Sequence, residues 1–162
     1  MVSDGERHDP VEVDEGSWVY LSADLADDEL QRVLLEQITE ACAKSGWRTV
    51  SHPVTERVGR ASDPGRFFAG VSDAIKHADA VVALIGARTD MSDAELTLAY
   101  SHGRPVVGVR VEGATMDSEP RMLLDGYERG RVVACSSPGE CAAALRQALS
   151  DPAFADVIRE AR

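Results

Sequence analysis

Glu95 is the residue of this chain whose type and position best suit catalysis. It closes the segment Ser92-Asp93-Ala94-Glu95, which stands directly before the apolar residues of a helical pattern. A carboxylate can act as a nucleophile, or stabilise positive charge, at an oxocarbenium-like carbon, as in glycoside hydrolysis. The same spacing also matches a capping box, in which Ser92 caps the helix and Glu95 hydrogen-bonds back to it. Residue types alone favour capping over catalysis, and one carboxylate could serve both roles.

The apolar runs on either side of Glu95 predict alternating strands and helices. Strands are predicted near residues 18–21, 47–50, 80–85, 105–111 and 131–135. Apolar residues at helical spacing predict helices between the first four strands, and a last helix at 138–149. Alternation of this kind produces a parallel sheet with right-handed crossovers. We predict an α/β fold, a three-layer doubly wound parallel sheet of five strands in the order 2-1-3-4-5.

A doubly wound sheet binds its ligand beyond the carboxyl ends of the strands, where the strand order reverses. That point lies here between strands 1 and 3. The chain segments that follow these two strands carry the candidate ligand-binding residues Ser22, Asp24, Gly86, Thr89, Asp90, Ser92 and Glu95. Asp24 is equally well explained as the N-cap of the first helix. His52 ends strand 2 near the same crevice and is either a ligand contact or a surface loop residue.

The charge of the chain limits its partners. It has 17 Lys and Arg residues against 28 Asp and Glu residues, a net charge of −11. Because proteins that bind DNA or RNA present a basic surface, we expect no polymeric nucleic acid partner. The acidic residues 1–16 predict a disordered tail, and residues 17–162 a single α/β domain.

Several sequence signals are missing. We find no apolar run long enough to cross a membrane and no signal-peptide pattern, so we expect a cytoplasmic protein with no membrane partner. Cys42, Cys135 and Cys141 are odd in number and lack metal-ligand spacing, so we interpret them as buried reduced thiols and expect no metal. The absence of a Gly-rich phosphate motif argues against dinucleotide-binding dehydrogenases and P-loop enzymes, and we expect no cofactor.

Three motifs together resemble the nucleoside 2-deoxyribosyltransferase family, which includes the nucleoside 5′-monophosphate N-hydrolases. They are Tyr20-Leu21-Ser22-Ala23, Ile75-x-x-Ala78-Asp79-Ala80-Val81-Val82-Ala83 and Glu95-Leu96-x-x-Ala99-x-x-x-Gly103-Arg104-Pro105-Val106. The resemblance implies a flavodoxin-like fold and cleavage of the N-glycosidic bond of a small nucleoside or nucleotide. It also implies a homodimer or larger oligomer.

The resemblance implies a role for each candidate residue. Glu95 would be the nucleophile and Tyr20 would orient it. Asp73 or Asp90 would assist the base, Ser22 and Ser92 would hydrogen-bond the sugar or a 5′-phosphate, and His52 could contact the base or ribose. The Asp that usually assists the base in this family falls on Val71 here. The apolar residues Leu123 and Leu124, in a charged segment at 116–130, predict the dimer interface.

Two alternatives stay open. A strand-1 Ser followed by acidic residues, and Ser92-x-x-Glu95-Leu96 at a helix start, are also similar to Toll/interleukin-1 receptor-type domains. Some of those domains cleave NAD with a Glu in this place. The other alternative is a nucleotide-binding or interaction module that kept the fold without the chemistry, which the Val71 position favours.

Overall fold

The computed structural model of the chain describes residues 17–23, 29–51, 64–85, 90–111 and 126–162. The strands are β1 (Trp18–Ser22), β2 (Arg48–Ser51), β3 (Ala80–Ile85), β4 (Val106–Val111) and β5 (Gly130–Cys135). The helices are α1 (Glu29–Lys44), α2 (Pro64–His77), α3 (Asp90–Ser101), α4 (Pro138–Leu149) and α5 (Pro152–Ala161). The acidic segment 1–16 lies outside the described residues. Within the described ranges, no helix is both long and apolar enough to cross a membrane.

The five strands form one parallel sheet in the order β2-β1-β3-β4-β5, and this confirms the predicted fold. The order reverses between β1 and β3, which are hydrogen-bonded neighbours. Tyr20 of β1 is in register with Val81 of β3, and Ser22 with Ala83. The carboxyl ends of these two strands therefore lie side by side at one edge of the sheet.

Successive residues of each strand point to opposite faces of the sheet, and each face has its own core. On β1, Val19 and Leu21 pack in one cluster with residues of α1, α4 and α5. Trp18 and Tyr20 pack in the other cluster with residues of α2 and α3. We call these the α1/α4 face and the α2/α3 face. Both faces are apolar, which explains the continuous apolar runs of the inner strands.

Two helices begin earlier than the sequence pattern predicts. α2 begins at Pro64 rather than near Phe67, in agreement with the preference of proline for the first helical turn. α3 begins at Asp90 rather than at Ser92.

Helix α5 is not among the predicted elements. It starts with Asp151 as N-cap, whose side chain accepts a hydrogen bond from the Ala153 amide at 3.0 Å, and with Pro152 in the first turn. Phe154 and Ile158 of α5 are buried against the α1/α4 face.

Two motif residues, Asp79 and Arg104, stabilise the amino end of the sheet by hydrogen bonds. Both belong to the motifs that carry the family resemblance. The Asp79 carboxylate accepts a hydrogen bond from the Trp18 amide at 3.0 Å and one from Arg162 Nε at 2.8 Å. The Arg104 guanidinium donates to the Ala161 carbonyl at 2.5 Å. Both side chains therefore fasten the C-terminal helix to the sheet, at the edge opposite to the predicted crevice.

The interpretation of three reduced thiols is wrong for two of the cysteines. Cys135 ends β5 and Cys141 lies in the first half of α4, and the two form a disulfide with a Cα–Cα distance of 5.3 Å. The pairing arises because α4 follows β5 after only Ser136 and Ser137, which brings the helix back over the strand end. Cys42 is a free, buried thiol.

Candidate functional site

Tyr20 and Glu95 meet on the α2/α3 face of the sheet. Tyr20 has no exposed surface, and Glu95 is 2% exposed. α3, which carries Glu95, packs against β1, which carries Tyr20. Burial raises the pKa of Tyr20 far above its usual range, and the neighbouring Glu95 carboxylate raises it further through its charge and as a hydrogen-bond acceptor.

The phenol of Tyr20 therefore stays protonated at every physiological pH, and it is a permanent donor beside the carboxylate. A carboxylate inside an apolar cluster costs folding free energy unless it is paired. Leu96 and Ala99 of the same helix belong to that cluster, so Glu95 is a charged residue in apolar surroundings. Buried carboxylates of this kind are concentrated at functional sites.

Glu95 does not occupy the position that a capping box requires. Because α3 begins at Asp90, Ser92 lies within the first turn of the helix and Glu95 in the second. The reciprocal hydrogen bonds of a capping box need the Ser at the N-cap and the Glu three residues later. The start of the helix at Asp90 does not match a cap at Ser92, and the capping interpretation of Ser92-x-x-Glu95 stays a prediction. The described contact of Glu95 is the one with Tyr20.

Small residues form the surface of the sheet next to this pair. Ser22 is in register with Ala83, and Ala83 with Gly108, so one row crosses β1, β3 and β4. Alternation along the strands places all three residues on the α2/α3 face, since Tyr20, Ala83 and Val106 belong to that cluster. All three residues are buried, and they lie toward the carboxyl end of the sheet, where a doubly wound fold binds its ligand.

Ser22 is 1% exposed, and its hydroxyl has no hydrogen-bond partner among the residues that the structure describes. A hydroxyl left in this state in an apolar setting costs free energy. The role of Ser22 in binding a ligand stays a prediction.

Arg110 is a residue that the sequence analysis missed. It lies on β4, two positions after Gly108, and its Nε is buried without a hydrogen-bond partner in the described part of the chain. Val107 and Val109 pack on the α1/α4 face, so alternation places Arg110 on the α2/α3 face with Ser22. The available signal was one charged residue within the apolar run Val106–Val111.

The structure brings Tyr20, Ser22 and Glu95 together, and Asp73 does not join them. Asp73 lies on α2 with its side chain 73% exposed, and it pairs with His77 on the same helix at 3.3 Å. The assignment of Asp73 to catalysis is therefore corrected. The assignment was based on the position of Asp73 in the sequence, but the period of the helix turns its side chain to the surface. Val71, the family position for that carboxylate, is buried with Tyr20 in the α2/α3 cluster.

The remaining predicted site residues stay predictions. Asp90 and Ser92 belong to α3, but the structure does not describe their side chains. Asp24, His52 and Gly86 lie outside the described residues, as do Leu123 and Leu124 of the predicted interface. Among the described residues no group of three or more His, Cys, Asp or Glu side chains could hold a metal ion.

Comparison with solved structures identifies the fold. The CMP N-glycosidase BcmB of Clostridium botulinum is 17% identical to this chain with a TM-score of 0.63, covering 81% of this chain and 98% of that one. The 2-deoxyribosyltransferase of Bacillus psychrosaccharolyticus is 20% identical with a TM-score of 0.54, covering 78% of this chain and 90% of that one. No family model and no curated protein matches the chain.

These likenesses show the fold. The resemblance found in the sequence is confirmed at that level, because an N-glycosidase and a deoxyribosyltransferase both share this arrangement of the chain. The flavoenzyme FerB of Paracoccus denitrificans, an NAD(P)H:(acceptor) oxidoreductase, also shares it, at 15% identity, a TM-score of 0.52 and coverage of 89% and 97%. One fold supports unrelated reactions, so the function has to be argued from the site.

Proposed function

We propose that this chain cleaves the N-glycosidic bond of a small nucleoside or nucleotide, with Glu95 as the nucleophile. The observation that carries the proposal is the buried Glu95 carboxylate beside the protonated Tyr20, at the edge of the sheet where this fold binds ligands. The shared fold of the CMP N-glycosidase and the 2-deoxyribosyltransferase supports the same reaction class.

The reaction that suits this pair proceeds in two steps. In the first step a carboxylate oxygen of Glu95 bonds to C1′ while the C1′–N bond breaks. The electron pair of the C1′–N bond leaves with the base, and the base takes a proton from water. In the second step water, or a second base, attacks C1′ and releases the Glu95 carboxylate. Tyr20 holds the reactive oxygen by a hydrogen bond and is a positioning residue.

We assign Ser22 to a hydrogen bond with the sugar or its 5′ substituent. The support is that its hydroxyl is buried and lacks a partner in the described part of the chain. Asp90 and Ser92 remain candidates for contacts to the base and the sugar, and Asp24, His52 and Gly86 for the remainder of the pocket. Val71 offers no proton to the departing base. The base itself must therefore be a good leaving group that takes its proton from water, or another residue, such as Asp90, must protonate it.

The proposal is tested by incubating the protein with a panel of nucleosides, their 5′-monophosphates and NAD, and following release of free base or nicotinamide by chromatography. Release of base from nucleosides or monophosphates, and its loss in Glu95→Gln, would support the proposal. Release of nicotinamide alone would favour an NAD-cleaving domain instead. Binding without cleavage of any compound would favour a nucleotide-binding module.

We further propose that the protein acts as a homodimer, with the segment around Leu123 and Leu124 at the interface. The support is the sequence alone, since apolar residues among charges mark an interaction surface. Light scattering at micromolar concentration measures the mass directly. Changing both leucines to polar residues should give a folded monomer without activity, and a monomeric wild-type protein would contradict the proposal.

A further inference from the structure

The amino end of the sheet, opposite to the candidate site, carries a group of arginines. Arg48 begins β2, and Arg104 and Arg129 stand just before β4 and β5. Because all five strands are parallel, these positions lie at one edge of the sheet. Arg162 follows α5 at the same edge, where its Nε donates to Asp79 at 2.8 Å. We call these four arginines the arginine edge.

Backbone carbonyls account for the hydrogen bonds of two of these arginines but not for their charges. Arg104 donates to three carbonyls at helix ends, among them those of His102 and Ala161. Arg129 donates to the Gly103 carbonyl at 2.7 Å. A cation at the C-terminus of a helix is favoured by the helix dipole, which is a partial charge only. Neither guanidinium pairs with a carboxylate in the described part of the chain.

The charge of the described residues is polarised along the strand direction. The helices that start at the carboxyl end of the sheet carry Glu29, Asp93 and Glu95 in their first two turns. At the arginine edge Asp79 and the exposed Glu128 offset part of the positive charge. The chain as a whole has a net charge of −11. A basic edge on so acidic a chain favours an acidic occupant.

The acidic segment 1–16 joins the domain at this edge. It contains six Asp and Glu residues and a single arginine, and it lies outside the described residues. Ser17, which follows it, accepts a hydrogen bond from the Arg48 amide through its carbonyl at 3.1 Å. The Ser17 hydroxyl accepts one from the Arg162 guanidinium at 3.5 Å. The chain therefore enters the fold between two members of the arginine edge.

The length of the segment is sufficient to follow the whole edge. Asp14 and Glu15 are within three residues of Ser17, a reach of about 10 Å. Glu12 is five residues from Ser17, a reach of about 17 Å. The strand β5, which Arg129 precedes, lies three strand spacings from β1, or roughly 14 Å.

We propose that the acidic segment 1–16 binds along the arginine edge of its own chain. Asp14 and Glu15 pair with Arg48 and Arg162, and the acidic residues before them reach Arg129. Each exposed ion pair of this kind is weak, so the contact depends on their number and is sensitive to salt. It needs no regular structure in the segment, in agreement with the predicted disordered tail. This inference does not rest on the proposed function.

Trypsin cleavage after Arg7 tests the contact, because Arg7 is the single Lys or Arg of the segment. The full chain is compared with a synthetic peptide of residues 1–16, and initial rates are followed by mass spectrometry. In about 20 mM salt we expect the full chain to be cleaved about 5- to 30-fold more slowly than the peptide, as for several weak pairs acting together. In about 0.5 M NaCl the two rates should agree within about twofold, because salt screens exposed charges.

Charge variants locate the contact. The double variant Arg48→Gln with Arg129→Gln should bring cleavage in low salt at least about fivefold closer to the rate of the peptide. The matched control is Arg32→Gln, which removes an exposed charge near the start of α1 at the opposite end of the sheet. It should leave the rate unchanged. Circular dichroism checks that each variant is folded.

A second variant leaves the described residues untouched. Changing the six acidic residues of the segment to Asn and Gln should abolish the protection in low salt, measured against a peptide with the same changes. This variant keeps the test valid if the double arginine variant does not fold.

Four outcomes would overturn the inference. Equal cleavage of the full chain and the peptide in low salt would show that the segment does not bind. Protection that survives 0.5 M NaCl would show that the contact is not electrostatic. Protection that is lost in the neutralised segment but kept in the double arginine variant would place the segment elsewhere. Protection that increases with protein concentration would show that the edge binds the segment of a second copy.

Discussion

The phenol of Tyr20 on β1 faces the carboxylate of Glu95 on α3, and both side chains are buried. The pairing depends on the strand order. Because β1 lies beside β3 in the sheet, the helix that follows β3 passes over β1. The contact is therefore a product of the doubly wound topology, and it brings a fixed donor to the one carboxylate that is buried among the described residues.

Replacing Glu95 by Gln separates catalysis from stability. The amide keeps the size of the side chain and can still accept a hydrogen bond from Tyr20, and it removes a buried charge. We expect the free energy of unfolding to fall by less than about 1 kcal/mol, or to rise, while turnover falls by about 10³-fold or more. Denaturant unfolding and base-release assays measure the two effects. Turnover close to wild type would remove Glu95 from the mechanism.

Replacing Tyr20 by Phe should act on kcat and not on substrate binding. The change removes only the hydroxyl, so Glu95 loses its donor while the aromatic packing remains. We expect kcat to fall by roughly 10- to 100-fold with KM within about twofold, and the free energy of unfolding to fall by about 1–3 kcal/mol. A large change in KM would mean that the phenol touches substrate.

The pH profile of the wild-type enzyme gives an independent test of Tyr20. Burial and the Glu95 charge raise its pKa, so its phenol remains protonated well above the usual value of about 10. We therefore expect no loss of activity from Tyr20 ionisation as the pH rises to 10. An alkaline limb near pH 9 that disappears in Tyr20→Phe would contradict the raised pKa.

Asp73 provides a negative control for the site. Its carboxylate is exposed and pairs with His77, whereas the sequence analysis placed it in catalysis. We expect Asp73→Asn to leave kcat/KM within about twofold of wild type, because a surface ion pair contributes little. A loss of tenfold or more would show that Asp73 reaches the substrate and that the sequence-based assignment was right.

The order of strands, and the pairing of Tyr20 with Glu95, could be predicted because they follow from apolar runs and a family motif. Arg110 could not, since a single arginine near a strand end is ordinary until its buried Nε is seen. The start of α3 was missed because Ser92-x-x-Glu95 fits a capping box by spacing alone. Helix α5 was missed although Asp151-Pro152 is a sound start signal, since its apolar residues suit packing only once the α1/α4 face is known.

The reactivity of the Cys42 thiol reports on the packing of the core on the α1/α4 face. Burial raises the pKa of its thiol to about 11, so at pH 8 roughly one molecule in 1,000 carries the thiolate that reacts, against about a quarter for a free cysteine. We expect iodoacetamide to label the folded protein at least about 100-fold more slowly than the urea-unfolded chain, with Cys42→Ala as the unreactive control. Because the folded pKa is the higher one, stability should fall as the pH rises from about 9 towards 11. Rapid labelling of the folded protein at pH 8 would show that the thiol is open to solvent, and that α1 does not pack against the sheet as described.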